Sequence, residues 1–139
     1  MWQQRATTAT RKCYLWAAGD GEVVIDGSGM AHTTEGAFKG GRCIYVHYLV
    51  NYWHFKGLTL CNAEDNGMKV EGSYHIMEQC VFRDNNDTGL QIGMFMALTP
   101  KDVPQGFPSG EPCPNPDFRF CRGNKVINCD AYNNADSRQ

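Results

Sequence analysis

The chain has 139 residues, enough for one domain with a sizeable core, and 42% hydrophobic against 20% charged residues is an ordinary globular balance. A formal charge of −2 argues against a nucleic-acid partner, and an anionic polymer would need a cation or a local Arg/Lys cluster to bind. No apolar run approaches the roughly 18 residues of a membrane span, and Met1-Trp2-Gln3-Gln4-Arg5 opens no signal-peptide core.

In chain order, Cys13-Tyr14-Leu15-Trp16 and Glu22-Val23-Val24-Ile25 read as short strands around a Gly19-Asp20-Gly21 turn, with Asp26-Gly27-Ser28-Gly29 ending the second. Ile44-Tyr45-Val46 follows and falls under Met68-Lys69-Val70 at a spacing of 24. The next stretch carries the clearest repeat. Slid by 22 residues, Leu60 falls on Phe82, Asp65 on Asp87, Gly67 on Gly89, Met68 on Leu90 and Val70 on Ile92, with Leu58 on Cys80. Gln79-Cys80 reappears 49 residues on as Asn128-Cys129, and the same shift carries Asp87 onto Asp136. The surplus over one period falls between Met94 and Gly123, a stretch holding all six prolines, and reads as one long loop inserted without loss of phase.

A strand-turn-strand unit repeated in constant phase coils forward and stacks parallel, whereas a hairpin array reverses at each turn. The expected fold is therefore all-β, a parallel solenoid with rungs of about 22 residues. Leu58, Leu60, Met68 and Val70 form one expected inward set, with Cys80, Phe82, Leu90 and Ile92 above them. Gln79 and Asn128 are expected at equivalent corners as an amide ladder. Gly67 and Gly89 are expected to take positive φ. The seven cysteines, lacking any Cys-x-x-Cys, read mostly as small buried hydrophobes, with Cys113 and Cys121 the candidate disulfide. The chain stops at Gln139 without a capping element, which reads as a partial domain with rungs missing and an aggregation-prone last rung.

Asn51-Tyr52-Trp53-His54-Phe55-Lys56-Gly57-Leu58, Asp65-Asn66-Gly67-Met68, Asp87-Thr88-Gly89-Leu90-Gln91-Ile92-Gly93 and Asn128-Cys129-Asp130-Ala131-Tyr132-Asn133-Asn134, in this order and spacing, resemble the family 9 polysaccharide lyases. Tyr14-Leu15-Trp16-Ala17-Ala18 and Val24-Ile25-Asp26-Gly27-Ser28-Gly29 are similar to that family's first rungs. The resemblance implies a right-handed parallel β-helix, an acidic polysaccharide (polygalacturonate) as partner, a monomer, and a secreted, cell-surface or periplasmic site of action. It also implies cleavage by β-elimination, with Ca2+ held by aspartates and a lysine taking the C5 proton. The rungs bearing those aspartates and that lysine lie beyond residue 139 in the family's pattern, so no catalytic residue and no metal ligand is carried over, and the chain alone is expected to be inactive and to bind no Ca2+ tightly. The alternatives are a β-helix glycoside hydrolase, a lyase for another uronic-acid polymer, or a non-catalytic carbohydrate-binding or structural β-helix.

The candidate residues each carry a plainer reading. Asp65, Asp84, Asp87 and Asp136 have calcium-ligand chemistry but are also ordinary turn residues. His54 and His75 are metal or acid–base candidates, or else partly buried and hydrogen-bonded. Lys56, Lys69, Arg83 and Lys125 line a polyanion groove or are solvated surface charge. Trp16, Tyr52, Trp53 and Tyr74 are candidates to stack on sugars, with Trp53 the one expected in the core. Asn86-Asp87-Thr88 is a glycosylation sequon by pattern.

Overall fold

A computed structural model of the chain describes residues 11–30, 41–48, 50–93 and 121–135. Among them are eleven short strands: β1 (Cys13–Trp16), β2 (Val23–Asp26), β3 (Ile44–Val46), β4 (Trp53–Lys56), β5 (Leu58–Cys61), β6 (Met68–Val70), β7 (Ile76–Glu78), β8 (Val81–Arg83), β9 (Leu90–Ile92), β10 (Lys125–Ile127) and β11 (Asp130–Tyr132). They form three sheets, ordered β1-β4-β7-β10, β2-β5-β8-β11 and β3-β6-β9, and every printed pairing is parallel. The chain is a parallel β-helix with three strands per turn of the coil. The sequence repeat had shown two of those three strands. The third, at Trp53–Lys56 and Ile76–Glu78, has residue types that do not repeat from rung to rung, and the sequence points to it only through equivalent strand starts near His54 and His75.

The pairing register agrees with the sequence period where the period was read. Leu60 lies beside Phe82, Met68 beside Leu90 and Val70 beside Ile92, all 22 residues apart, and Ile44 lies beside Met68. Between β7 and β10 the offset grows to 49, yet Ile76 still meets Lys125 and Val81 still meets Asp130. The rung resumes at Cys121–Arg122. Arg122 N–H donates to Ser73 Oγ at 3.1 Å and His75 N–H to Asn124 Oδ1 at 2.9 Å, each 49 residues apart. Cys121 is unbridged, its thiol directed at the Gly72 carbonyl 3.1 Å away, so the expected disulfide does not form; Cys113 and the prolines lie outside the described residues.

Three bends per rung turn the coil, and each has a residue of positive φ at the same place. Tyr52, Tyr74 and Gly123 mark the first, Gly57, Gln79 and Asn128 the second, and Asn62, Asp84 and Asn133 the third. Glycine, Asn and Asp tolerate this conformation; a tyrosine there is strained and must be held by its surroundings. Tyr52 and Tyr74 are held by each other, stacked at 5.1 Å with planes 8° apart.

The core runs along the coil axis. Leu58, Leu60, Met68, Val70, Cys80 and Phe82 are buried as expected, and Phe55 and Met77 join them from the first sheet. Ile92 departs from expectation: it is exposed, because β9 is the last described strand of its sheet and nothing described stacks on it. Leu90 is only half-buried for the same reason.

The amide ladder exists, but not at Gln79 and Asn128, which are exposed bend residues. It is formed by Asn85 and Asn134. Asn85 Nδ2 donates to Asn134 Oδ1 at 2.9 Å and to the Leu60 carbonyl at 3.3 Å, while its Oδ1 accepts from Ala63 N–H at 3.0 Å. Gly67 and Gly89 do not have positive φ. Their lack of a side chain makes room for this ladder: a Cβ on Gly67 would stand 2.6 Å from Asn85 Nδ2, and one on Gly89 2.6 Å from Asn134 Nδ2. Cys61 and Cys80 are buried, Cys43, Cys121 and Cys129 partly so, and only Cys13 among the described cysteines is exposed. Burial pushes the Cys61 and Cys80 thiols up, away from the reactive thiolate. No helix among the described residues is long and apolar enough to cross a membrane.

Candidate functional site

Alternation along a strand sends every second side chain outward. With Phe55 and Met77 inside, the first sheet presents two outward rows across its strands: Tyr14, His54, Ile76 and Lys125, then Trp16, Lys56, Glu78 and Ile127. Chemistry concentrates where these rows begin. Tyr14 and Trp16, 56% and 52% exposed, meet edge to face at 5.0 Å. The His54 ring stands edge-on to Trp16 at 5.2 Å, and Lys56 Nζ lies 5.6 Å from the centre of the Trp16 ring, within cation–π range. Glu78, one strand further on, accepts from His54 Nε2 at 2.8 Å and faces Lys56 Nζ at 3.5 Å. The His54 hydrogen bond, reinforced by Lys56, holds the Glu78 carboxyl below its ordinary value. The face thus offers an exposed aromatic pair, a cation and a carboxylate side by side.

The outward row of the third sheet has the opposite character. Tyr45, Lys69 and Gln91 stand in register there. Tyr45 Oη donates to Glu71 Oε2 at 2.6 Å, and burial together with this bond pushes the phenol well above its ordinary value. Lys69 is only 2% exposed, donates to Gln91 Oε1 at 2.8 Å, and is held below the ordinary lysine value by that burial. Beside it, Arg42 pairs with Asp65 at 2.9 Å. On the second sheet Arg83 pairs with Asp84 at 2.7 Å. Asp26 is lowered to about 2 by hydrogen bonds from the Ser28 hydroxyl, the Ser28 N–H and Asn62.

The structure separates residues that the sequence grouped. Lys56 and Lys125 share the first sheet, Arg83 lies on the second and Lys69 on the third, so the four do not line one groove. Lys125 is a solvated charge, whereas Lys69 is buried. Trp53 packs against the core, stacked on Phe55 at 5.8 Å. Tyr74 lies between Tyr52 and Gly123 but is still 43% exposed, so Trp16 and Tyr74 are the two exposed rings of the four aromatic candidates. His75 is a buried structural residue: Trp53 N–H donates to its Nδ1 at 3.1 Å, and its Nε2–H donates to the Val50 carbonyl at 2.9 Å. Asp84 is a bend residue with positive φ, and Asp87 accepts from Asn66 Nδ2 at 3.2 Å. No group of three His, Cys, Asp or Glu able to hold a metal occurs among the described residues. Asn86 is exposed in its turn; Asp136 lies outside the described residues.

The sequence reading missed Tyr14 and Glu78. The signal was the alternation in Cys13-Tyr14-Leu15-Trp16 and in Ile76-Met77-Glu78, where the outer residues share a face.

Comparison with known proteins agrees with this architecture. The sequence model described as "Pel9A-like, right handed beta helix region" matches residues 1–139. The chain is 29% identical over 138 residues to pectate lyase L of Dickeya dadantii (strain 3937), covering 88% of this chain and 30% of that protein. It is 32% identical over 88 residues to pectate lyase L of Thermoclostridium stercorarium, covering 62% of this chain and 6% of that one. A segment of 45 residues is 40% identical to pectate lyase L of Paenibacillus polymyxa (strain SC2), covering 32% of this chain and 10% of the relative. The chain therefore spans less than a third of the length of each of these relatives. No solved structure gives a significant match.

Proposed function

We propose, from the premise that this chain belongs to the Pel9A-like right-handed β-helix family, that it serves a pectate-lyase-type activity, the cleavage of polygalacturonate by β-elimination outside the cytoplasm. The observation that carries the reading is the family match running the full length of a coil whose rungs stack in register. In this reading residues 1–139 are a single coil with one surface insertion at about 94–123, and they act as a monomer that supports a polymer rather than as the reacting centre.

The reaction removes a weakly acidic proton α to a carboxylate, which calls for a neutral amine base and for stabilisation of the developing charge. Ca2+ would supply that stabilisation, but the described residues do not fit it: Asp65 pairs with Arg42 and Asp87 with Asn66, and no group of three possible ligands occurs among the described residues. Lys69 has the lowered proton affinity of a base, yet it is buried and bonded to Gln91, out of reach of a polymer. The calcium ligands and the base are therefore assigned to rungs other than the described ones.

Two measurements test this. The purified 139-residue chain, incubated with polygalacturonate and Ca2+, is expected to yield none of the ultraviolet absorbance of a new C4–C5 double bond. A chimera joining this chain, in rung register, to the remaining coil of the Dickeya relative is expected to regain it. A folded chimera that makes no unsaturated product, or robust product from the chain alone, overturns the proposal.

A further inference from the structure

We infer that Lys69 and Gln91 join in an intramolecular isopeptide bond, a covalent rung-to-rung tie on the outer face of the third sheet. The two stand at matched positions on β6 and β9, with Lys69 Nζ 2.8 Å from Gln91 Oε1. The amide carbon lies one C=O bond, about 1.2 Å, beyond that oxygen, so the nitrogen is within about 4 Å of it. A turn of the Gln91 terminal torsion closes the remainder to the roughly 3–3.5 Å of a near-attack geometry. An amine attacks a carbonyl carbon only as the free base. Lys69 is 2% exposed, and burial, aided by the positive charge of Arg42, holds it below the ordinary lysine value against the pull of Glu71 and Asp65. Lys56 on the first sheet meets the carboxylate of Glu78 instead. The difference is chemical: a carboxylate accepts a proton, whereas an amide offers an electrophilic carbon.

Glu71 carries the protons. It is buried, its charge acts on Lys69, and it follows Lys69 by two residues, on the same outward side by alternation. Tyr45 Oη donates to its Oε2 at 2.6 Å, which leaves Oε1 to exchange protons. In the step, the Nζ lone pair forms a bond to Cδ of Gln91 and the C=O electron pair moves to the oxygen. Glu71 takes a proton from Nζ and passes one to Nε2 of the amide. The Cδ–Nε2 bond then breaks, the carbonyl re-forms and ammonia leaves. A primary amine and a primary amide become one secondary amide and ammonia, with no oxidant, metal or second substrate. The pairing register holds amine and amide face to face, which is what brings so slow an aminolysis within reach. The bond fastens β9, whose only described neighbour is β6. Like a disulfide, it restricts the unfolded chain.

The inference rests on register and burial, not on the lyase reading, and no polymer or metal enters its test. The chain is isolated unfolded, refolded in mildly alkaline buffer, and weighed intact by mass spectrometry as a function of time. The wild-type mass is expected to settle at that of the sequence less one ammonia. Tandem spectra of a proteolytic digest are expected to show the Lys69 peptide joined to the Gln91 peptide. Lys69→Arg and Gln91→Leu, each checked for folding by circular dichroism, keep their full sequence masses. Glu71→Gln, equally folded, acquires the deficit about a hundredfold more slowly. Asn66-Gly67 can also shed ammonia by ring closure, so the digest fixes the site of the loss. A wild-type chain that stays at its full sequence mass, a deficit that persists in Lys69→Arg or Gln91→Leu, peptides that place the loss at Asn66, or an undiminished rate in Glu71→Gln overturns the inference. The wild-type mass and digest decide it even where a variant does not fold.

Discussion

Leu15, Phe55, Met77 and Val126 occupy one inward row of the first sheet, on β1, β4, β7 and β10, yet they are 40%, 3%, 0% and 50% exposed. The side chains are alike in kind and all point to the interior. What differs is whether a described rung lies on both sides. In a coil, burial is supplied by the neighbouring turn rather than by the strand's own pattern, so equivalent residues contribute very differently to stability. The same contrast separates Asn85, stacked between Ala63 and Asn134, from Gln79, which points to solvent at the neighbouring bend.

Truncating the inner members of the row should break the coil and truncating the outer ones should not. Met77→Ala is expected to cost about 3 kcal/mol, the range for emptying a fully buried site, read from the urea midpoint. Asn85→Ala comes next, at about 2 kcal/mol, because it strands Ala63 N–H without its acceptor and removes the Nδ2 donor shared by the Leu60 carbonyl and Asn134 Oδ1, while Gln79→Ala stays within about 0.5 kcal/mol. An equal loss from the two would mean that the ladder is not where the hydrogen bonds place it.

A smaller effect lies in the pH dependence of His75. Burial holds its imidazole below the ordinary 6.5, against the opposing hydrogen bond to Val50. As pH falls below that value the unfolded chain takes up a proton that the native chain refuses, so stability from this group is complete above it and is lost towards the folded value. His75→Gln should flatten the fall in thermal midpoint over that interval; an unchanged slope would remove His75 as its source. Asp26 and Glu78, with lowered carboxyls, act only at more acid pH. The smallest change is expected from Val126→Ala, under about 0.5 kcal/mol in the same urea assay. A loss matching that of Met77→Ala would show that β10 is as well covered as β7.

Much of the coil was legible because its repeat is local. Leu60 and Phe82, Met68 and Leu90, Val70 and Ile92 are similar residues at a constant interval, so the sequence exposes their stacking directly. The first sheet was less legible. Its strands pair His54 with Ile76 and Lys56 with Glu78, unlike with unlike, and nothing in residue type announces the register. The glycines show a different limit. Gly67 and Gly89 stood out as invariant through the repeat, but the reason is the space occupied by Asn85 and Asn134 rather than an unusual φ. Only the position of the neighbouring rung distinguishes those two causes.

By itself the sequence determined that the chain coils forward in parallel, with a period near 22, and which apolar residues of the central rungs face inward. Those follow from alternation and phase, which survive an insertion because each strand pairs only with its equivalent. The tertiary structure alone decided that Trp16 meets Lys56, that Glu78 joins His54, and that Lys69 is buried while Lys125 is not. Cys13 pairs with Trp53, Val23 with Leu58 and Ile44 with Met68, at offsets of 40, 35 and 24 within one rung, because the connecting turns differ in length. No single interval aligns those partners, and the outer face of the first sheet is assembled across that irregular step.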